Sequence, residues 1–108
     1  MKTNTITNTP HSQESIFGLK INDNSMEPRI YAGDTLIVRQ QDDVDDGDVA
    51  IVMINGSDAT CKKVEKHDNG IMLVPLNSNY ETNFYSIEDM KRIPVRIIGK
   101  VLEIRRYF

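Results

Sequence analysis

The sequence predicts a mostly β domain of about seven strands, and three features carry that expectation. Phe17, Leu19 and Ile21 alternate with Gly18, Lys20 and Asn22, the period-two pattern of a strand with one buried face. Two turn signals, Asn55-Gly56 and Asp68-Asn69-Gly70, separate short apolar runs, so residues 48–75 read as a three-stranded meander. The chain closes on a long, β-rich, amphipathic stretch over 95–108.

Taken in order, residues 1–15 are rich in Thr, Asn and Ser and read as a flexible tail or linker remnant. The folded domain is expected over 16–108. After the strand at 17–21, Asp23-Asn24 favour a turn, and Pro28 cannot donate to a strand ladder, so the strand has ended by then. Residues 35–39 are β-branched and apolar and predict the next strand. The acidic run from Asp42 to Asp48 invites a calcium loop. No frame gives alternating acidic ligands, a glycine and a closing glutamate, so it reads as a solvated turn. Val49–Ile54 is a continuous apolar run of the length of a buried strand, 59–66 is its return, and 71–74 follows. Residues 77–94 read as irregular, with Ser86 and Asp89 placed to cap one short helical turn before Pro94. For the C-terminal stretch two readings stand: an edge that pairs with a second copy, or an internal strand.

Composition narrows the function. The chain has 108 residues, enough for one core, with 39% apolar and 27% charged residues. A net charge of −3 argues against direct nucleic-acid binding by this chain. No apolar run approaches the ~20 residues that span a bilayer, and the one cysteine forms no internal disulfide, so a cytoplasmic location is expected. Cys61, His11 and His67 are too scattered for a metal site, and no cofactor or metal is expected.

Two residues carry candidate chemistry. Ser25 lies just past a strand end, in Asn24-Ser25-Met26-Glu27-Pro28, and reads either as the cap of a short turn over 26–30 or as a nucleophile. Lys62 lies in Thr60-Cys61-Lys62-Lys63-Val64. Thr60, Lys62 and Val64 share one strand face, while Cys61, Lys63 and Glu65 share the other, which reads as solvated. Lys62 therefore either points inward or extends to the surface. As a general base it must be neutral, and with a free pKa of about 10.4 only about one lysine in two thousand is neutral at pH 7. Burial among apolar neighbours lowers that value, so a Ser–Lys pair works faster as pH rises. Backbone N–H groups around Ser25 are candidates for an oxyanion hole.

Over about Phe17 to Tyr107 the sequence resembles the C-terminal domain of LexA-like self-cleaving repressors, a group that includes phage CI repressors and the UmuD mutagenesis proteins. The resemblance rests on Asn24-Ser25-Met26-Glu27-Pro28, Ile30, Gly33-Asp34, Gly47-Asp48-Val49 and Thr60-Cys61-Lys62-Lys63-Val64. It continues through Leu76-Asn77-Ser78-Asn79-Tyr80 and Ile97-Ile98-Gly99-Lys100-Val101. It implies a LexA/signal-peptidase-like β fold with a hydrophobic cleft, Ser25 as nucleophile and Lys62 as general base. The implied reaction is cleavage of one peptide bond in the parent chain, parting a helix-turn-helix domain from a dimerising one. It also implies a homodimer through the C-terminal region, and induction by a RecA–single-strand filament or a phage antirepressor.

Two features depart from the pattern. No helix-turn-helix precedes the core, and the Ala-Gly or Cys-Gly cleavage site is missing, Gly18 being the only glycine before Ser25. The expectation is a fragment, a cleavage product, or a relative that keeps the fold without the reaction. Arg105-Arg106 and the Ile97-Ile98-Gly99-Lys100-Val101 run favour a phage-type repressor over a UmuD-like subunit. A signal peptidase, which shares the fold and a similar Ser-Met-x-Pro motif, fits less well for want of an apolar anchor.

Overall fold

The structure, a computed structural model, describes residues 5–8 and 15–107. Its elements in chain order are β1 (Thr5–Asn8), β2 (Ile16–Lys20), β3 (Thr35–Gln40), β4 (Val49–Ile54), β5 (Asp58–His67), β6 (Gly70–Val74), β7 (Asn83–Ser86), α1 (Ile87–Arg92) and β8 (Val95–Arg105). All pairings are antiparallel, in one sheet of order β1-β2-β3-β8-β4-β5-β6-β7. No helix among the described residues is long and apolar enough to cross a membrane.

The meander forms where the turn residues place it. Asn55 and Gly56 both take positive φ, 56° and 71°, in the three-residue connection between the paired Ile54 and Asp58, where Ser57 N donates to Ile54 O at 3.3 Å. β4 is buried on both faces: Ile51 packs in one core with Leu19, Leu36 and Met26, and Ala50 and Val52 pack in a second with Val64 and Leu73. That accounts for its unbroken apolar run. Each fully buried large side chain, such as Leu19 or Leu36, contributes about 1.5–3 kcal/mol.

The acidic turn is tied to lysines. Asp43 Oδ1 lies 2.7 Å from Lys66 Nζ, and Asp48 Oδ2 lies 3.6 Å from Lys100 Nζ.

Three expectations change. Thr5–Asn8, read as part of a tail, pairs by its backbone with β2 in the register Thr5↔Lys20 to Asn8↔Phe17. The stretch read as irregular holds β7 and α1. The helix has the expected capping box, with Ser86 Oγ accepting from Asp89 N at 3.1 Å and Asp89 Oδ2 accepting from Ser86 N at 3.2 Å. The face of β5 read as solvated is only partly so: Lys63 and Glu65 pair at 3.5 Å, but Cys61 is buried in the first core.

β8 is internal, as one of its two readings had it. Gly99 to Arg105 pair with β3, and Val95 to Lys100 pair with β4. Register shifts leave Leu102 without a partner position in β3 and Ile98 without one in β4. Such bulges bend a strand so that it serves two neighbours. Gly99 sits where the two pairings overlap, and a Cβ there would meet Val38 and the Arg39 carbonyl.

Candidate active site

Beyond β2 the chain turns back on itself. Ile21 N donates to Asp34 O at 2.9 Å and Gly33 N to Ile21 O at 2.8 Å, closing a loop that contains Ser25. Within it, Ile30 N donates to Met26 O at 3.0 Å, and the Met26 and Ile30 side chains are buried in the first core. The loop is clamped from outside as well. Asn77 N donates to Ser25 O at 3.0 Å, and Asn77 Nδ2 donates to Asn24 O at 2.9 Å. At its far end Asp34, 2% exposed, accepts from Tyr31 N at 2.8 Å and from Arg106 through both carboxylate oxygens, at 2.7 and 2.6 Å. The Arg106 guanidinium lies 5.0 Å from the Tyr31 ring centroid, a cation–π distance.

This loop and β5 bring the two candidate residues together. Lys62 Nζ donates to Ser25 Oγ at 2.9 Å. The same ammonium donates to Thr60 Oγ1 at 2.7 Å and to Cys61 O at 3.2 Å. Lys62 therefore points inward, as one of its two readings had it. Ser25 is buried, and among the described residues its hydroxyl bonds to the side chains of Lys62 and Asp23 rather than capping the turn.

Burial holds Lys62 below the ordinary lysine range, opposed first by Asp23 and then by Cys61. Burial also pushes the Cys61 thiol up to about 12, so it stands beside Lys62 as a neutral group. A hydroxyl in contact with a partly desolvated amine is the arrangement in which the amine, once neutral, takes the hydroxyl proton.

Both residues line a cleft of about 610 Å³. Its walls carry Ile54, Leu73, Tyr80 and Tyr85 as apolar surface, and Asp23, Asp58 and Glu81 as carboxylates. A larger groove of about 880 Å³, lined by Ser15, Phe17, Gln41, Met53, Arg96 and Ile98 among others, includes neither Ser25 nor Lys62.

Sequence reasoning missed Asp23, which it read only as a turn former. Its Oδ1 accepts from both Ser25 N, at 3.2 Å, and Ser25 Oγ, at 3.1 Å. The available signal was the two-residue spacing, at which Asp side chains bond back to the chain. That contact also engages the Ser25 N–H, one of the groups considered for an oxyanion hole. Asn77 was noted only as part of a motif, and its clamp on the Ser25 loop is non-local.

The Peptidase S24-like family model matches residues 2–102. The chain is 34% identical over 98 residues to the LexA repressor of Lacticaseibacillus casei, covering 90% of this chain and 44% of that protein. It is 36% identical over 96 residues to the LexA repressor of Geobacillus sp., at 88% and 43% coverage. To that of Petrotoga mobilis it is 37% identical over 87 residues, at 79% and 42%. The chain thus spans less than half the length of these relatives. A match over nearly the whole chain, with the mostly β fold, identifies it as a member of the Peptidase S24-like family, a LexA-like domain.

Proposed function

We propose that this chain is the C-terminal regulatory domain of a LexA- or CI-type repressor, in which Ser25 and Lys62 form a Ser–Lys pair that cleaves one peptide bond of the parent polypeptide. The observation that carries this reading is the 2.9 Å contact between Lys62 Nζ and Ser25 Oγ at the wall of the cleft. In the neutral form, Lys62 accepts the Ser25 proton as Oγ attacks the scissile carbonyl. The resulting ammonium returns that proton to the departing amine, leaving an acyl ester on Ser25. Water then hydrolyses the ester, Lys62 taking the water proton and passing it back to Ser25 Oγ. An extended segment with small or apolar side chains suits walls made by Ile54, Leu73 and Tyr85.

The parent acts in the cytoplasm as a dimer, with β8 contributing to the contact. Its β4-side flank from Val101 to Arg105 has no strand partner among the described residues, and Leu102 is exposed there. The inducing partner is a RecA filament or a phage antirepressor, and DNA is bound by another part of the parent.

The test is cleavage in trans. This chain is mixed with the longer parental chain carrying Ser25→Ala, and fragments are read by mass spectrometry from pH 7 to 10. One cut upstream of the domain, rising with pH and absent with Lys62→Met, is expected. No cut at any pH from a folded dimer assigns the fold to a non-catalytic dimerisation or regulator-binding module.

A further inference from the structure

Asp23 stands on the other side of Ser25 from its proposed base. Ser25 Oγ accepts from Lys62 Nζ at 2.9 Å and donates to Asp23 Oδ1 at 3.1 Å. While Lys62 is an ammonium it can only donate to Oγ, which leaves the hydroxyl proton for the Asp23 carboxylate. General-base attack needs the reverse, with Oγ donating to a neutral Lys62. The same Oδ1 accepts from the Ser25 N–H at 3.2 Å, which fixes the carboxylate in this position. Through the shared hydroxyl, Asp23 Oδ1 and Lys62 Nζ lie within about 6 Å of each other. An anion at that range favours the ammonium over the amine.

We propose that Asp23 is a positioning residue that restrains the pair, holding the Ser25 hydroxyl turned from Lys62 and keeping Lys62 charged. This rests on the reading of Ser25 and Lys62 as nucleophile and base.

The surroundings single out Asp23. Cys61, on Lys62's own strand, is a neutral thiol because burial pushes it up to about 12. Asp58 on β5, and Tyr80, Glu81 and Tyr85 from the facing segment, line the cleft. Lys62's own bonds run to Ser25, Thr60 and the Cys61 carbonyl. Among the cleft carboxylates, Asp23 is the one that shares the Ser25 hydroxyl with it and opposes the effect of burial.

Two variants separate the charge from the turn. Asp23→Asn removes the charge and keeps an oxygen acceptor for the Ser25 N–H. Asp23→Ser does the same with a hydroxyl. Each is compared with the unaltered chain by two measurements across pH 6 to 10: the rate of Ser25 phosphonylation by a fluorophosphonate, in which Oγ bonds to phosphorus and fluoride leaves, read on the intact chain, and the Lys62 midpoint from 13C-lysine NMR. Both variants are expected to be phosphonylated about tenfold faster near neutral pH, with the profile and the midpoint moved down by about one unit, as loss of so close an opposite charge requires. An unchanged profile and midpoint in a folded variant overturns the proposal, as does slower phosphonylation at every pH. If Ser25 is phosphonylated in none of the chains, the peptidase reading fails, and the Lys62 midpoint alone then decides: a downward move upholds the coupling to Asp23, and an unchanged one overturns it.

Discussion

Lys62 Nζ lies 2.9 Å from Ser25 Oγ although 37 positions separate the two in sequence. The contact joins a loop held by Asp34 and Asn77 to a strand held by β4 and β6. Nothing local to either residue brings it about, so each element that positions one of them can be tested by its effect on the pair.

Ser25→Ala removes one hydroxyl and leaves the loop's backbone bonds and the buried Met26 and Ile30 in place. The variant is expected to stay folded, losing about 1 kcal/mol with the bonds to Asp23 and Lys62. Cleavage in trans is expected to vanish. Thermal unfolding beside the cleavage assay checks this; loss of the fold would make Ser25 a structural residue.

Lys62 gives a stability that depends on pH. Its folded pKa lies below the unfolded value, so the unfolded chain binds more protons between the two, and stability rises with pH across that window. Below it both states are protonated and the penalty for burying the charge is fully present. Lys62→Met is therefore expected to be more stable than the parent near pH 7, by about 1 kcal/mol. The difference should shrink as pH approaches about 10.4. Urea unfolding at several pH values measures it, and a destabilised Met variant at pH 7 would show that the amine's hydrogen bonds outweigh its burial.

Arg106 and Asp34 test the anchoring of the Ser25 loop. Arg106 holds the Asp34 carboxyl below the usual carboxylate range, chiefly through their hydrogen bonds. The stability this supplies is present above the unfolded carboxylate value and is lost as pH falls through the folded one. Arg106→Ala leaves the buried carboxylate without its charged partner and is expected to lower stability at neutral pH. The gap between variant and parent should narrow below about pH 4. Equal stability of the two chains at pH 7 would remove this pair from the account.

The C-terminal strand separates folding from association. Because Gly99 to Arg105 pair with β3, deleting the chain after Ile98 is expected to abolish cooperative unfolding, which makes truncation a poor probe of dimers. Leu102→Glu alters an exposed, bulged position. It should weaken self-association in sedimentation while leaving the melting temperature within a few degrees. Unchanged association would move the dimer contact elsewhere.

Much of the fold could be read from local chemistry. Alternation at Phe17, Leu19 and Ile21, the Asn55-Gly56 turn and the Ser86/Asp89 capping box all act within a few residues of themselves. What local pattern could not supply was neighbours. The amphipathic run of β8 does not say that β3 and β4 lie on either side of it, and Arg106 gives no hint of Asp34. β7 is only four residues, Asn83–Ser86, half exposed and without a strong apolar rhythm. At the candidate site, residue pattern alone left Ser25 open between cap and nucleophile, and family resemblance supplied its pairing with Lys62. Asp23 was hidden because an aspartate before a turn is ordinary.

The most direct test of the Ser25–Lys62 account is the pH dependence of Ser25 phosphonylation by a fluorophosphonate, located by peptide mass spectrometry, in the parent chain and in Lys62→Met. The account predicts a single adduct on Ser25 whose rate climbs as pH rises through the Lys62 midpoint, and no adduct in the Met variant. A folded parent that never labels at Ser25, or an equal rate in both chains, would contradict it.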